Sequence, residues 1–188
     1  MVAEPLLATE PPPPGRPQGA ASGMVETIRS SFARVEPQAE DLGRHFYGVL
    51  FSRAPETRDL FPVNMEVQRS RLLRALVHVV QMVDQPEDLI PFLEQLGRDH
   101  RKFGVLAQHY DAVGYALLSA IAAFSGDDWQ PPVAKAWRDA YGIVAGAMRA
   151  AADAERGPAS WLGRVVGHRR VGWDVAVVGM EPGPLANV

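Results

Sequence analysis

Between residues 24 and 155, large apolar side chains recur at the three- and four-residue spacing of an α-helix, interrupted by proline and glycine, and no stretch in this block alternates with period two. A chain patterned in this way buries its apolar groups only by packing helix stripes against one another. The expected fold class is therefore all-α, around one core. Length agrees, since 188 residues fill one core well and are too few for two comfortable ones.

Punctuation divides the block. A first helix is expected over residues 24–35, and Pro37 is placed to open a second in its first turn, where a missing N–H costs nothing. Leu42, Phe46, Val49 and Leu50 supply the second stripe, Ala54-Pro55 ends it, and residues 56–60 suit one short turn before Phe61-Pro62. Residues 66–83 form the next helix, with Leu72, Ala75, Leu76, Val79 and Val83 on one side. Pro91 predicts a fresh start near the first helical position, continuing to Lys102, with Gly104 as the C-terminal cap. Two longer helices follow, one bearing Tyr110, Val113, Leu117, Ile121 and Phe124, the other Val133, Trp137, Ala140, Tyr141, Val144 and Met148. Residues 126–132 connect them.

The flanks differ. Residues 1–23, with prolines at 11–14, carry too few large apolar groups to offset ordering entropy and read as a disordered tail. The expected helical domain is residues 24–156. Residues 157–188 read as a linker and the beginning of a β segment, strand-like at Val165-Val166 and from Val175 to Val178, too short to complete a sheet.

Composition removes several function classes. Nineteen basic against twenty-two acidic side chains, a formal charge of −3, give no basic footprint for nucleic acid or an anionic membrane. The absence of cysteine excludes disulfides, thiolate nucleophiles and iron–sulfur ligation and is compatible with a reducing compartment. No segment approaches the roughly 20 apolar residues of a membrane span, and a cytoplasmic location is expected. No His-Glu-x-x-His, glycine-rich phosphate loop or Gly-x-Ser-x-Gly occurs.

Three residues stand out on apolar helix faces. His100 shares its face with Leu96, Leu93 and, just upstream of the expected helix, Leu89. For an isolated histidine, a core role with a backbone partner outweighs a metal-ligand role. Tyr47 follows Gly43 by one turn and precedes Leu50, so a second backbone could approach at the glycine while the phenol points inward and needs a partner. Gln68 heads the stripe continued by Leu72, Ala75, Leu76 and Val79, where its amide is either solvated in the first turn or faces a cavity. Together the three suggest a pocket lined by one basic nitrogen, one phenol and one amide. His45, His78, His109 and His168 read as surface or structural residues.

The segments Arg44-His45-Phe46-Tyr47, Leu60-Phe61-Pro62, Gln68-Arg69 and Asp99-His100-Arg101-Lys102-Phe103, with Tyr110 and the later Ala136-Trp137 and Ala140-Tyr141 in order and spacing, resemble the globin domain of bacterial flavohaemoglobins over residues 24–148. The resemblance implies a globin fold around one haem, with a short orphan β segment at the C-terminus. It implies His100 as the proximal iron ligand, Phe61 against the porphyrin, and Leu96, Phe103 and Tyr110 on the proximal side. On the distal side it implies Tyr47 as the hydroxyl that hydrogen-bonds an oxygen ligand, Gln68 as its polar companion and Leu72 as an apolar wall. In that family the oxygen reacts with nitric oxide to give nitrate, and flavin and nicotinamide domains return the electrons.

Here Trp161 to Pro182 resembles only the opening strands of the flavin barrel, so no FAD or NAD site is expected within the chain and a separate reductase is the expected partner, unless the chain is a fragment. The family also orients its proximal imidazole through a glutamate. An ungapped count puts Ala154 there, with Asp153 or Glu155 as the possible substitutes. Two functions follow: an oxygen-binding globin that oxidises nitric oxide, or a gas-binding or sensing globin that does not turn over.

Overall fold

The computed structural model describes residues 18–160 and 162–183. Helix α1 (Gln18–Val35) begins earlier than the apolar pattern indicates, so residues 18–23 belong to a helix rather than to a disordered tail. Once a helix is nucleated, each added residue contributes a hydrogen bond for little further ordering, and Ala20 and Ala21 are strong helix formers. The Thr27 hydroxyl reinforces this turn by donating to the Gly23 carbonyl at 2.8 Å. The rest of the expected tail, residues 1–17, lies outside the described residues.

Pro37 sits in a single 3₁₀ turn, Glu36–Gln38, and α2 (Ala39–Arg53) starts just after it. Leu42, Gly43, Phe46, Tyr47 and Leu50 form the buried stripe of α2, which stops where the Ala54 N–H donates to the Leu50 carbonyl at 2.8 Å ahead of Pro55. The expected short turn is a 3₁₀ segment, Pro55–Leu60, and α3 (Glu66–Gln81) follows.

Helix α4 (Pro86–His100) corrects the reading of Pro91, which lies inside the helix while Pro86 opens it. The N–H missing at Pro91 would have served the Glu87 carbonyl; both residues are exposed, so water can take that role, while Leu89 and Leu93 on the opposite side are buried. Leu89 is therefore within the helix that carries His100. A 3₁₀ turn, Arg101–Phe103, extends α4, and Gly104 ends it at φ 73°, the left-handed cap its position indicates. Helix α5 (Ala107–Ser125) is capped by His109, whose Nδ1 accepts the Leu106 N–H at 3.1 Å, which gives that buried histidine a structural task. Pro131 and Pro132 open α6 (Pro131–Ala154) instead of belonging to the loop before it.

The helices pack chiefly as α4 on α6 and α2 on α5. A Cβ at Gly97 would lie 2.2 Å from the Met148 carbonyl oxygen, so the α4 and α6 backbones meet where only glycine fits. Across the core, the Trp137 Nε1–H donates to the Ser31 Oγ at 2.9 Å, both residues being buried. Trp137→Phe removes that donor and thins the packing on Phe32; a stability loss of about 1–3 kcal/mol in urea denaturation is expected.

Strands β1 (Gly163–Arg170) and β2 (Ala176–Pro182) form one antiparallel hairpin, pairing Arg164 with Glu181 and His168 with Val178, with an irregular register at Val166. Nearly all of its residues are exposed. The helical block is tied to the linker before it by Arg101, whose guanidinium donates to the Gly157 carbonyl at 2.7 Å.

Candidate functional site

The buried apolar residues fall into two clusters, and the candidate site residues divide between them. Tyr47, with Phe61 and Leu72 packed at its edge, belongs to the larger cluster built from α1, α2, α3, α5 and α6. Tyr110, with Leu96 packed beside it, belongs to the smaller cluster of α4, α5 and α6. Helices α3 and α4, neighbours in sequence, pack mainly on other helices and touch where His78 meets Phe92 edge to face, ring centroids 4.6 Å apart. On another side the turn after His100 comes back to the first cluster, Gly104 lying against Leu60, next to Phe61. The residues singled out for chemistry thus fall on both sides of this division, Tyr47 with the first cluster and Tyr110 with the second.

On one side Tyr47 is 5% exposed. Its ring stands edge-on to Phe61 at 5.4 Å and tilted against Phe51 at 5.7 Å. Burial lifts the phenol above the ordinary tyrosine value, while a hydrogen bond from Gln68 and the charge of Arg69 pull it back. The Gln68 amide therefore lies within reach of the phenol oxygen. Gln68 is therefore neither solvated idly nor unsatisfied. Gly43 does not admit a second backbone; what lies against it is the aliphatic stem of Arg69, at 3.7 Å.

On the other side His100, part-buried, directs Nδ1 at the Leu96 carbonyl one turn earlier, at 2.7 Å. A carbonyl only accepts, so Nδ1 carries the proton and Nε2 holds the lone pair. Burial keeps the imidazole below the ordinary histidine pKa, against the opposing pull of the Leu96 carbonyl and Asp99, so the ring is neutral at pH 7. This tautomer and charge state are those a metal ligand requires. Among the described residues no three of His, Cys, Asp or Glu converge, so a metal on His100 would draw its remaining ligands from a non-protein group.

Apolar side chains near Tyr47 and His100 remain partly uncovered and are of the chemistry that a flat, largely apolar group such as haem would cover. Phe61, Leu72 and Leu96 are half-buried, and Phe103, just after His100, is 64% exposed. A planar group between the clusters would cover such surface, which soluble chains otherwise tend to bury. The structure brings Tyr47, Phe61, Gln68 and Leu72 together, and separately Leu96 and His100, with Tyr110 in the same cluster as Leu96. No direct contact joins the two groups among the described hydrogen bonds and ring pairs. A cleft of about 390 Å³ lined by Ile90, Glu94, Arg98, Ala147 and Glu155 holds none of these residues.

The carboxylate substitutes do not reach His100. The charge of Asp153 acts on Tyr110 instead, beside Arg149, whose guanidinium lies 5.5 Å from the Tyr110 ring centroid. Glu155 is exposed and lines the cleft just described. Sequence reasoning passed over Phe51, one turn beyond Tyr47 and signalled by that spacing, and Gly97, which nothing local distinguishes from other helical glycines.

The globin family profile matches residues 44–148. The chain is 32% identical over 127 residues to a flavohemoprotein of Bacillus subtilis, covering 66% of this chain and 32% of that protein. A flavohemoprotein of Deinococcus radiodurans is 32% identical over 124 residues, covering 64% and 31%. The chain thus spans about a third of the length of these curated relatives. Among solved structures, a bacterial globin from Campylobacter jejuni superposes with a TM-score of 0.62 at 24% identity, over 70% of this chain and 96% of that one. An engineered carbene transferase from Rhodothermus marinus, built on a candidate nitric oxide dioxygenase, superposes with a TM-score of 0.62 at 28% identity, over 69% and 91%.

Proposed function

The chain belongs to the globin family, and from that premise we propose that it holds haem through His100 Nε2 and binds oxygen beneath the Tyr47 hydroxyl, as the oxygenase part of a nitric oxide dioxygenase served by a separate reductase. The observation that carries this reading is the pairing of a part-buried imidazole, its Nδ1–H already spent on Leu96, with a buried phenol that has Gln68 beside it. When bound, haem supplies an iron centre that takes up diatomic gases and exchanges single electrons.

The protein's own part is electrostatic and steric. The raised pKa of Tyr47 keeps it a protonated donor at neutral pH, aimed at a ligand that gathers negative charge. Gln68 fixes the phenol's orientation, and Phe51 and Phe61 hold its ring, so little reorganisation is needed when a ligand arrives. Leu72 and Phe61 supply apolar walls that keep competing water away and strengthen that hydrogen bond. Leu96 sets the imidazole plane from the opposite side.

Tyr47→Phe removes the donor while keeping the ring among Phe51 and Phe61. Oxygen dissociation from the reduced, haem-loaded protein is expected to speed up by about tenfold or more in stopped-flow measurements, in line with losing a hydrogen bond of over 1 kcal/mol. Nitric oxide added to the oxygen-loaded protein should yield one nitrate per haem, and a supplied reductase should make the reaction cycle.

One observation favours a second reading, a gas carrier or sensor without turnover. The partner of His100 is a backbone carbonyl, not a carboxylate, and a carbonyl makes the imidazole a weaker electron donor. Stable oxygen binding with no nitrate formed would decide for that reading.

A further inference from the structure

Arg69 is a charged residue near Tyr47 that the roles above leave without a task. It follows Gln68 on α3 and is half-buried, and its Cβ, Cγ and Cδ each lie 3.7 Å from where a side chain at Gly43 would begin. Gly43 and Tyr47 are both buried and stand one helical turn apart on α2, so the stem of Arg69 is laid along the α2 face that carries the phenol. Its charge is felt at the Tyr47 oxygen.

Three neighbouring arginines are engaged elsewhere, and Arg71 is exposed where Arg69 is half-buried. Arg44 pairs with Glu40 and Asp41, Arg58 donates to the Phe61 and Pro62 carbonyls, and Arg74 donates to the Ser70 carbonyl. Arg69 has no carboxylate partner among the described residues. A half-buried arginine without a carboxylate partner keeps a net positive charge near Tyr47, and such a charge attracts an anion without needing to touch it.

We propose that Arg69 is the cationic determinant of the distal pocket and makes it selective for small anionic ligands over neutral ones of similar size. This inference rests on the haem reading and adds to it a ligand class and the residue that sets it. It is distinct from the work of Tyr47, whose hydrogen bond is directional and short-ranged, whereas the guanidinium acts through charge.

The test uses the full chain loaded with haem and compares azide binding to the ferric protein with carbon monoxide binding to the reduced protein. Arg69→Gln is expected to raise the Kd for azide about tenfold and to leave that for carbon monoxide within about twofold, since only the former carries a net charge. Arg69→Met, which keeps the aliphatic stem over Gly43, should behave as Arg69→Gln does, and Arg69→Lys should retain most of the azide affinity. Normal haem uptake with unchanged azide affinity in both uncharged variants overturns the inference, as does an equal loss for azide and carbon monoxide, which would mark Arg69 as a prop for the pocket walls. Failure of the unaltered protein to take up haem overturns the haem reading itself and this inference with it.

Discussion

His100→Ala is expected to abolish the sharp Soret band that the unaltered protein develops when titrated with haem, while leaving its far-UV circular dichroism intact. The side chain is part-buried and makes one described hydrogen bond, to the carbonyl of the preceding turn, so its removal deletes little packing. Its Nε2 is the lone pair proposed to hold the iron, and without it a bound haem has no protein ligand on that side. His100→Gly with added imidazole should restore a six- or five-coordinate spectrum, since the cavity left by the ring admits the free base. An unchanged Soret band in His100→Ala would sink the ligand assignment. A lost band accompanied by lost helicity would instead mark His100 as a residue of the fold.

Gly97→Val is expected to be the most damaging single substitution in the helical block. A Cβ there meets the Met148 carbonyl oxygen at 2.2 Å, its Cα at 2.7 Å and its carbonyl carbon at 2.8 Å, all backbone atoms that no rotamer change can move. Helices α4 and α6 would have to separate along their main interface, with an expected loss of about 3 kcal/mol or more and a fall in Tm of roughly 10 °C. Because Gly97 precedes His100 by one turn, haem affinity should fall as well. Gly43→Ala is the contrasting case: its nearest neighbours are the Arg69 stem atoms at 3.7 Å, an ordinary contact, and a helical alanine is preferred to glycine. Thermal melts of the two variants compare backbone approach with mere burial, and similar Tm values would refute the argument from the Met148 carbonyl.

The helical stripes were legible because burial imposes a period that the sequence must repeat. Leu42, Phe46 and Leu50 fall on the buried side of α2 as their spacing requires, and Gly104 adopts the positive φ that its place after a helix suggests. Pro91 misled because its local preference for a helix start is a matter of one N–H, and the exposed Glu87 carbonyl can be hydrated. The start of α1 was hidden for a similar reason: small residues in a glycine-bearing segment carry no apolar stripe, yet they extend a helix nucleated by its neighbours.

The candidate site divides along the same line. That Tyr47, Gln68 and His100 occupy apolar faces of three helices could be read from spacing, and their resemblance to a globin pattern suggested a joint role. Spacing could not say which nitrogen of His100 is protonated, since that depends on the Leu96 carbonyl lying 2.7 Å from Nδ1. Nor could it say that Gln68 lies beside the Tyr47 phenol, that Arg69 runs along Gly43, or that the charge of Asp153 is felt at Tyr110.

By itself, then, the sequence determined the all-α block, the order of its helices and the residue types available for chemistry, because hydrophobic periodicity and helix caps act over a few residues. The close approach of α4 to α6 at Gly97, the division of the core into two clusters and the tautomer of His100 were decided only by the tertiary structure. Each depends on atoms distant in sequence, or on a hydrogen bond whose geometry exists only once the helices are packed.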